Sequence, residues 1–178
     1  MATATTSKHL LFTRMPSPIG ELVLLSDGRC LRGLYMQDGR KPVRVDAGWE
    51  ASDEPFTEVR RQLDEYFAGE RTSFDLPIEL DGSPFQLRVW AALQDIPFGQ
   101  TISYGELARR IDKPGAARAV GLANGANPIA VIVPCHRVIG ADGSLTGYGG
   151  GMANKRLLLG LEHAEAVEDE APQQRLEL

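Results

Sequence analysis

The chain has 178 residues, a net charge of −5, 43% apolar residues and 24% charged ones. That balance is ordinary for a globular protein with a core of its own, and it excludes disorder of the whole chain. No run nears the roughly 18 apolar residues of a spanning helix. Residues 1–8 are polar and lack a secretory signal, and the two cysteines, Cys30 and Cys135, cannot frame a disulfide scaffold. The expected setting is therefore reduced and cytoplasmic, with no membrane partner.

In chain order, residues 10–15, 21–25 and 31–36 are apolar runs separated by Pro16-Ser17-Pro18-Ile19-Gly20 and Ser26-Asp27-Gly28. They read as a short antiparallel meander. Residues 37–52 read as a surface loop. Phe56, Val59, Leu63 and Phe67 then recur at helical spacing, and Gly69 stops that helix. Residues 72–80 alternate loosely, as another strand would, and Asp81-Gly82 ends the first half.

The second half reads as mostly helical. Ser83-Pro84-Phe85-Gln86 is a capping box with proline at the first helical position, and Phe85, Val89, Trp90 and Leu93 form the apolar stripe behind it. Ser103-Tyr104-Gly105-Glu106 reads as a second capping box, opening a helix to about Ile111. Asp112-Lys113-Pro114-Gly115 turns the chain into a third, residues 116–124, made mostly of Ala and Gly. Two short helices joined tightly suit either a DNA-binding helix-turn-helix or a plain helical hairpin. Residues 129–133 read as a buried strand, 138–145 as a hairpin-like turn, 147–151 as a glycine loop, and Leu157, Leu158 and Leu161 as a last helix. From about Ala164 the tail is acidic and expected to be disordered. Trp49 and Trp90 read as packing residues and Cys30 as a buried thiol.

Charge is unevenly spread. Residues 1–82 carry net −4, residues 83–160 net +4 and residues 161–178 net −5. The middle segment can attract phosphate although the whole chain is acidic, because local charge sets the field.

The chemistry centres on Val133-Pro134-Cys135-His136-Arg137-Val138. A thiol attacks as its thiolate, which a neighbouring base or cation favours. Adjacent side chains diverge, so Cys135 and His136 touch only across a turn or through a water. Without that coupling Cys135 is an inert core thiol. The glycine loop is not a dinucleotide site, since it lacks both the G-x-G-x-x-G spacing and its strand–helix context.

Pro134-Cys135-His136-Arg137-Val138 resembles the active-site signature of the O6-alkylguanine-DNA alkyltransferases. Ser103-Tyr104, Ala116-Ala117-Arg118-Ala119-Val120-Gly121, Asn127-Pro128, Gly147-Tyr148 and Glu162 follow the family's order and spacing. The resemblance is strong over residues 83–163 and looser over 10–82. It implies an α/β chain: a small ribonuclease H-like N-terminal domain (1–82), a helical, winged-helix-like domain with a helix-turn-helix (83–163), and a tail (164–178). It further implies direct-reversal repair, in which the alkyl group of O6-alkylguanine, and of O4-alkylthymine, passes irreversibly to the protein's own cysteine.

Carried onto this chain, Cys135 is the acceptor and His136 the base, acting through a water. Glu162 orients that histidine, Asn127 holds the preceding turn, and Tyr104 donates toward guanine N3. Arg118 fills the space of the flipped nucleotide, with Ala117, Ala119, Gly121, Ser103 and Arg137 as further DNA contacts. The carbonyls of Val133 and Cys135, with Tyr148, Gly149 and Gly150, wall the guanine pocket. Gly149 stands where some relatives carry serine, so only its backbone N–H is left to bind O6. The resemblance implies no cofactor and no metal, since Cys30 and His9 do not reproduce the zinc set of some relatives. The expected partner is double-stranded DNA carrying the lesion, and a monomer is expected.

Overall fold

The structure, a computed structural model, describes residues 9–164. The expected disordered tail from 165 onward lies outside the described residues. Strands β1 (Leu11–Met15), β2 (Leu22–Ser26) and β3 (Leu31–Met36) form the antiparallel meander, with a bulge at Leu25/Ser26. A two-residue strand β4 (Glu50–Ala51), inside the segment expected to be loop, adds parallel to β1 and completes the order β3-β2-β1-β4. Helix α1 (Thr57–Phe67) follows a single 3-10 turn and buries Val59, Leu63 and Tyr66.

Helix α2 (Pro84–Gln94) has the expected capping box, with Ser83 and Gln86 each satisfying the other's backbone N–H. It buries Val89, Trp90 and Leu93. Trp90 donates its indole N–H to the Ala123 carbonyl at 2.8 Å, which ties α2 to the helix-turn-helix. That unit is α3 (Tyr104–Arg110), a tight turn through Asp112 and Gly115, both at positive φ, and α4 (Ala117–Gly125), packed against α2 and α3. Ser103 caps α3, but Glu106 does not reciprocate; its carboxylate pairs with Arg109 and Arg110 instead. Strands β5 (Ile102–Ser103) and β6 (Val138–Ile139) pair in parallel beside these helices, and α5 (Met152–Leu161) closes the core. No helix of the described residues is long and apolar enough to cross a membrane.

Three expectations are corrected. Residues 72–80 contribute only a bridge, Leu31 to Ile78: Leu31 donates to the Pro77 carbonyl and accepts from Glu79 N–H, while proline at 77 has no N–H with which to carry the ladder further. Residues 129–133 are a buried turn. Val133 N–H reaches back to Ile129, Ile132 N–H to Ala130, and Val131 sits at φ 70°, a left-handed conformation that costs a β-branched residue energy. The run is apolar because it is buried, and burial alone does not distinguish a strand from an interior turn. The 138–145 turn closes between Gly140 and Ser144, but β6 takes its partner from β5 rather than from a returning strand.

The free edge of β3 decides where the two halves meet. Leu34 donates to Pro128 and accepts from Ala130, so the sheet holds the turn that carries the reactive segment. After β3 the chain presses against the glycine loop. A Cβ on Gly39 would lie 2.7 Å from the Gly149 carbonyl, and one on Gly150 would lie 2.4 Å from Met36 sulfur. Against the fixed backbone only glycine fits at position 39, and Arg40 N–H seals the approach with a 2.8 Å bond to the Gly149 carbonyl.

Candidate active site

Pro134 follows the buried turn with φ −83° and ψ 65°, and Cys135 N–H bonds back to the Val133 carbonyl. This inverse γ-turn leads into a 3-10 turn, Cys135–Arg137, that sends consecutive side chains in different directions. Cys135 reaches the floor of a cavity of about 540 Å³. Tyr104, Asn124, Asn127 and residues 146–150 line it from the C-terminal half, and Tyr35, Met36, Arg40 and Lys41 from the N-terminal half. His136 and Arg137 turn inward.

Asn127 fixes the turn from both ends. Its amide donates to the Val133 carbonyl at 2.7 Å and its oxygen accepts from Ile129 N–H at 3.0 Å. Burial pushes the Cys135 thiol above its usual range, opposed by hydrogen bonding from Asn127 and the charge of Lys155. The resting sulfur is therefore a protonated thiol that needs a base when it reacts.

That base lies behind it. His136 is fully buried, and its Nε2 meets Glu162 Oε1 at 2.7 Å, while Nδ1 has no partner among the described residues. Burial holds the imidazole below its ordinary range, against the pull of Glu162. Burial would by itself raise the Glu162 carboxyl, but hydrogen bonds from His136 and Arg137 outweigh it and bring it down to about 2. Glu162 is thus an anion through the neutral range and His136 a neutral base, the pairing a thiol deprotonation requires.

Tyr104 stands across the cavity, its hydroxyl donating to the Thr146 carbonyl at 3.3 Å, with burial raising the phenol. Thr146 also accepts from Lys155, a fully buried lysine that donates to Val138 at 2.6 Å as well. Burial lowers its ammonium to about 8. Tyr148 is buried, its hydroxyl without a hydrogen-bond partner among the described residues, and burial raises it well above its usual range.

Both halves match family models: "6-O-methylguanine DNA methyltransferase, ribonuclease-like domain" over residues 10–80, and "6-O-methylguanine DNA methyltransferase, DNA binding domain" over residues 84–164. The chain is 56% identical over 154 residues to the methylated-DNA–protein-cysteine methyltransferase of Mycobacterium leprae, covering 86% of this chain and 92% of that one. The chain belongs to the 6-O-methylguanine DNA methyltransferase family. A relative of the same name from Methanosarcina acetivorans is 51% identical, covering 82% of this chain and 94% of its own. Among solved structures, Mycobacterium tuberculosis OGT in complex with DNA superposes with a TM-score of 0.80 at 53% identity, covering 87% of this chain and 92% of that one.

Within this family fold, the structure brings Cys135, Asn127, Tyr104, Tyr148, Gly149 and Gly150 to one cavity, with His136 and Glu162 directly behind. Arg118, Ala119 and Leu122 are exposed on α4, while Ala117 and Gly121 are half-buried. Leu122, which sequence reasoning passed over, is 75% exposed and one turn beyond Arg118. Ser103 is spent on the α3 cap.

Two assignments change. Arg137 is buried rather than free for DNA; its guanidinium binds both Glu162 oxygens and the Ile96 carbonyl. Val133 does not line the cavity, and its carbonyl already accepts from Asn127 and Cys135. Cys30, expected to be buried, is half-exposed on the turn after β2. Lys155, Tyr66, Arg40 and Lys41 were missed, since nothing in a single sequence marks which lysine is buried or which loop reaches a cavity.

Proposed function

We propose that this protein repairs DNA by taking the alkyl group of O6-alkylguanine onto Cys135, once per molecule. The observation that carries this reading is the buried Cys135 thiol on the cavity floor, backed by a neutral His136 and an ionised Glu162. His136 Nδ1, the nitrogen left without a partner among the described residues, takes the thiol proton, through a water where the two groups do not touch. The sulfur attacks the alkyl carbon, an S–C bond forms and the C–O6 bond breaks. Its electron pair passes into the purine, and a proton delivered from the Tyr104 side lets the base leave as neutral guanine. The thiol proton, handed on by His136, restores the balance. A thioether is not displaced at neutral pH, so the protein is consumed.

A base inside a duplex cannot reach this floor and must be flipped out, at a cost of a few kcal/mol. Arg118 supports that step. It is exposed and makes no ion pair or hydrogen bond among the described residues, so it is free to fill the gap. The Ala and Gly surface around it permits close approach to a minor groove, and Leu122, on the same face, would press against sugars and base edges there. Cytoplasmic residence, a monomeric state and the division near residue 82 belong to the same reading.

Intact-mass measurement after incubation with an O6-methylguanine duplex should show one added methyl group, and peptide mapping should place it on Cys135. Sustained turnover of excess substrate, or an adduct on Cys30, would overturn the proposal.

A further inference from the structure

The Glu162 carboxylate has more donors than the relay requires. Oε2 accepts from Arg137 Nε at 2.9 Å. Oε1 accepts from His136 Nε2 at 2.7 Å, from Arg137 Nη2 at 2.9 Å and from the hydroxyl of Tyr66 at 2.7 Å. One carboxylate oxygen offers about two lone pairs, so three donors must share them. Tyr66 belongs to α1 in the N-terminal half, 96 positions from Glu162. It is wholly buried, and its ring is clamped by Phe67, Phe74 and Phe98 at centroid distances of 5.4, 5.3 and 6.3 Å. Phe98 also lies 5.9 Å under the Arg137 guanidinium. The hydroxyl is thus fixed at both ends.

We propose that Tyr66 is a positioning residue for the proton relay: its hydroxyl shares Glu162 Oε1 with His136 and so sets how readily the imidazole takes and holds the thiol proton. This rests on the reading of Cys135 and His136 given above. Burial and the neighbouring Glu162 both disfavour ionisation of the Tyr66 phenol, so it remains a donor throughout the working range. A neutral donor withdraws electron density from Oε1 without adding charge, which weakens the carboxylate's hold on His136. The other charged or titratable groups around the relay are Arg137 beside it, Lys155 on α5, Tyr148 from the glycine loop and Cys135 itself. None of these comes from the N-terminal half. Tyr66 is the route by which that half acts on the chemistry as well as on the cavity wall.

Tyr66→Phe keeps the ring and removes the oxygen, leaving Oε1 with two donors. His136 should then hold its proton more tightly. Because only neutral His136 can accept from the thiol, the acid limb of the rate–pH profile should move up by roughly half to one unit, the size of one net hydrogen bond. Well above that limb the variant should match the parent within about twofold. The shift should be equal for free O6-benzylguanine and for a methylated duplex, since Tyr66 lies far from α4. Incorporating 3-fluorotyrosine at position 66, a stronger donor of nearly the same shape, should move the limb the opposite way. It also preserves a test if the phenylalanine variant folds poorly. In the Cys135→Ser background, imidazole resonances followed against pH should report the same displacement at His136, one of only three histidines. An unmoved limb, or a uniform loss of rate at every pH with a lower Tm, would make Tyr66 a packing residue and overturn the inference. If the parent itself takes no alkyl group on Cys135, the functional proposal fails instead.

Discussion

The cluster around Glu162 and the outer face of α4 dispose of their charges in opposite ways. Behind Cys135, an anion, a guanidinium, an imidazole and a phenol are packed out of water, and every donor on Arg137 that approaches Glu162 is met. On α4, Arg118 has no partner among the described residues and Leu122 is 75% exposed. A buried charge must be compensated by the protein itself, because leaving one unpaired in the interior costs several kcal/mol. A surface that binds a polyanion gains from leaving its cation unpaired, since the partner's phosphates or bases then complete it. The first region is therefore a finished device and the second an unfinished one.

Substitutions should separate the two. The largest effect falls on Cys135→Ala, which should abolish alkyl transfer while leaving duplex affinity within about twofold by gel shift. A residual transfer would mean another acceptor. Next, Glu162→Gln leaves Arg137 buried against a neutral partner, and chemical denaturation should show a loss of about 3–5 kcal/mol. The same variant should slow transfer from free base and from duplex alike.

Acid should act on the same cluster without mutation. Glu162 titrates at about 2 in the fold against 4.5 when free, so its stabilisation is complete above about pH 4.5 and disappears as the pH falls toward 2. The span corresponds to roughly 3 kcal/mol. His136, lowered by burial, adds to the loss from about pH 6.5 downward, because unfolding lets it take up a proton. Equilibrium urea unfolding from pH 7 to 3 should therefore show a falling free energy, with a smaller fall in Glu162→Gln. Equal slopes in both proteins would contradict the assignment.

The exposed face should respond otherwise. Arg118→Ala should slow repair of a lesion in duplex by about ten- to a thousandfold, the cost of flipping expressed as rate, and leave the reaction with free O6-benzylguanine nearly unchanged. Its duplex affinity should also lose about one unit of salt slope. The smallest effect is Leu122→Ala. Losing an apolar contact of about 1 kcal/mol should weaken duplex binding about fivefold with the salt slope untouched. If Leu122→Ala also changes the slope, the leucine acts on the geometry of Arg118 and not on the groove.

What the sequence determined alone was local and chemical. Strand spacing, the Ser83 capping box and the Gly punctuation specified most elements, because each depends on residues within one or two turns of one another. The Pro134-Cys135-His136-Arg137-Val138 run with its companions specified the family, because the acceptor, its base and the proline before them are contiguous in the chain. Tertiary structure decided everything that depends on burial. Residues 129–133 read as a strand because any buried apolar segment looks alike in one dimension; the bonds from Val133 N–H back to Ile129 and from Ile132 N–H back to Ala130 make them a turn, which Leu34 then holds through Pro128 and Ala130. Arg137 read as a DNA contact until the fold brought Glu162, 25 positions away, onto its guanidinium. Tyr66, Lys155 and Arg40 entered the site through contacts between distant segments, and a desolvated charge or a shared lone pair exists only once those segments have met.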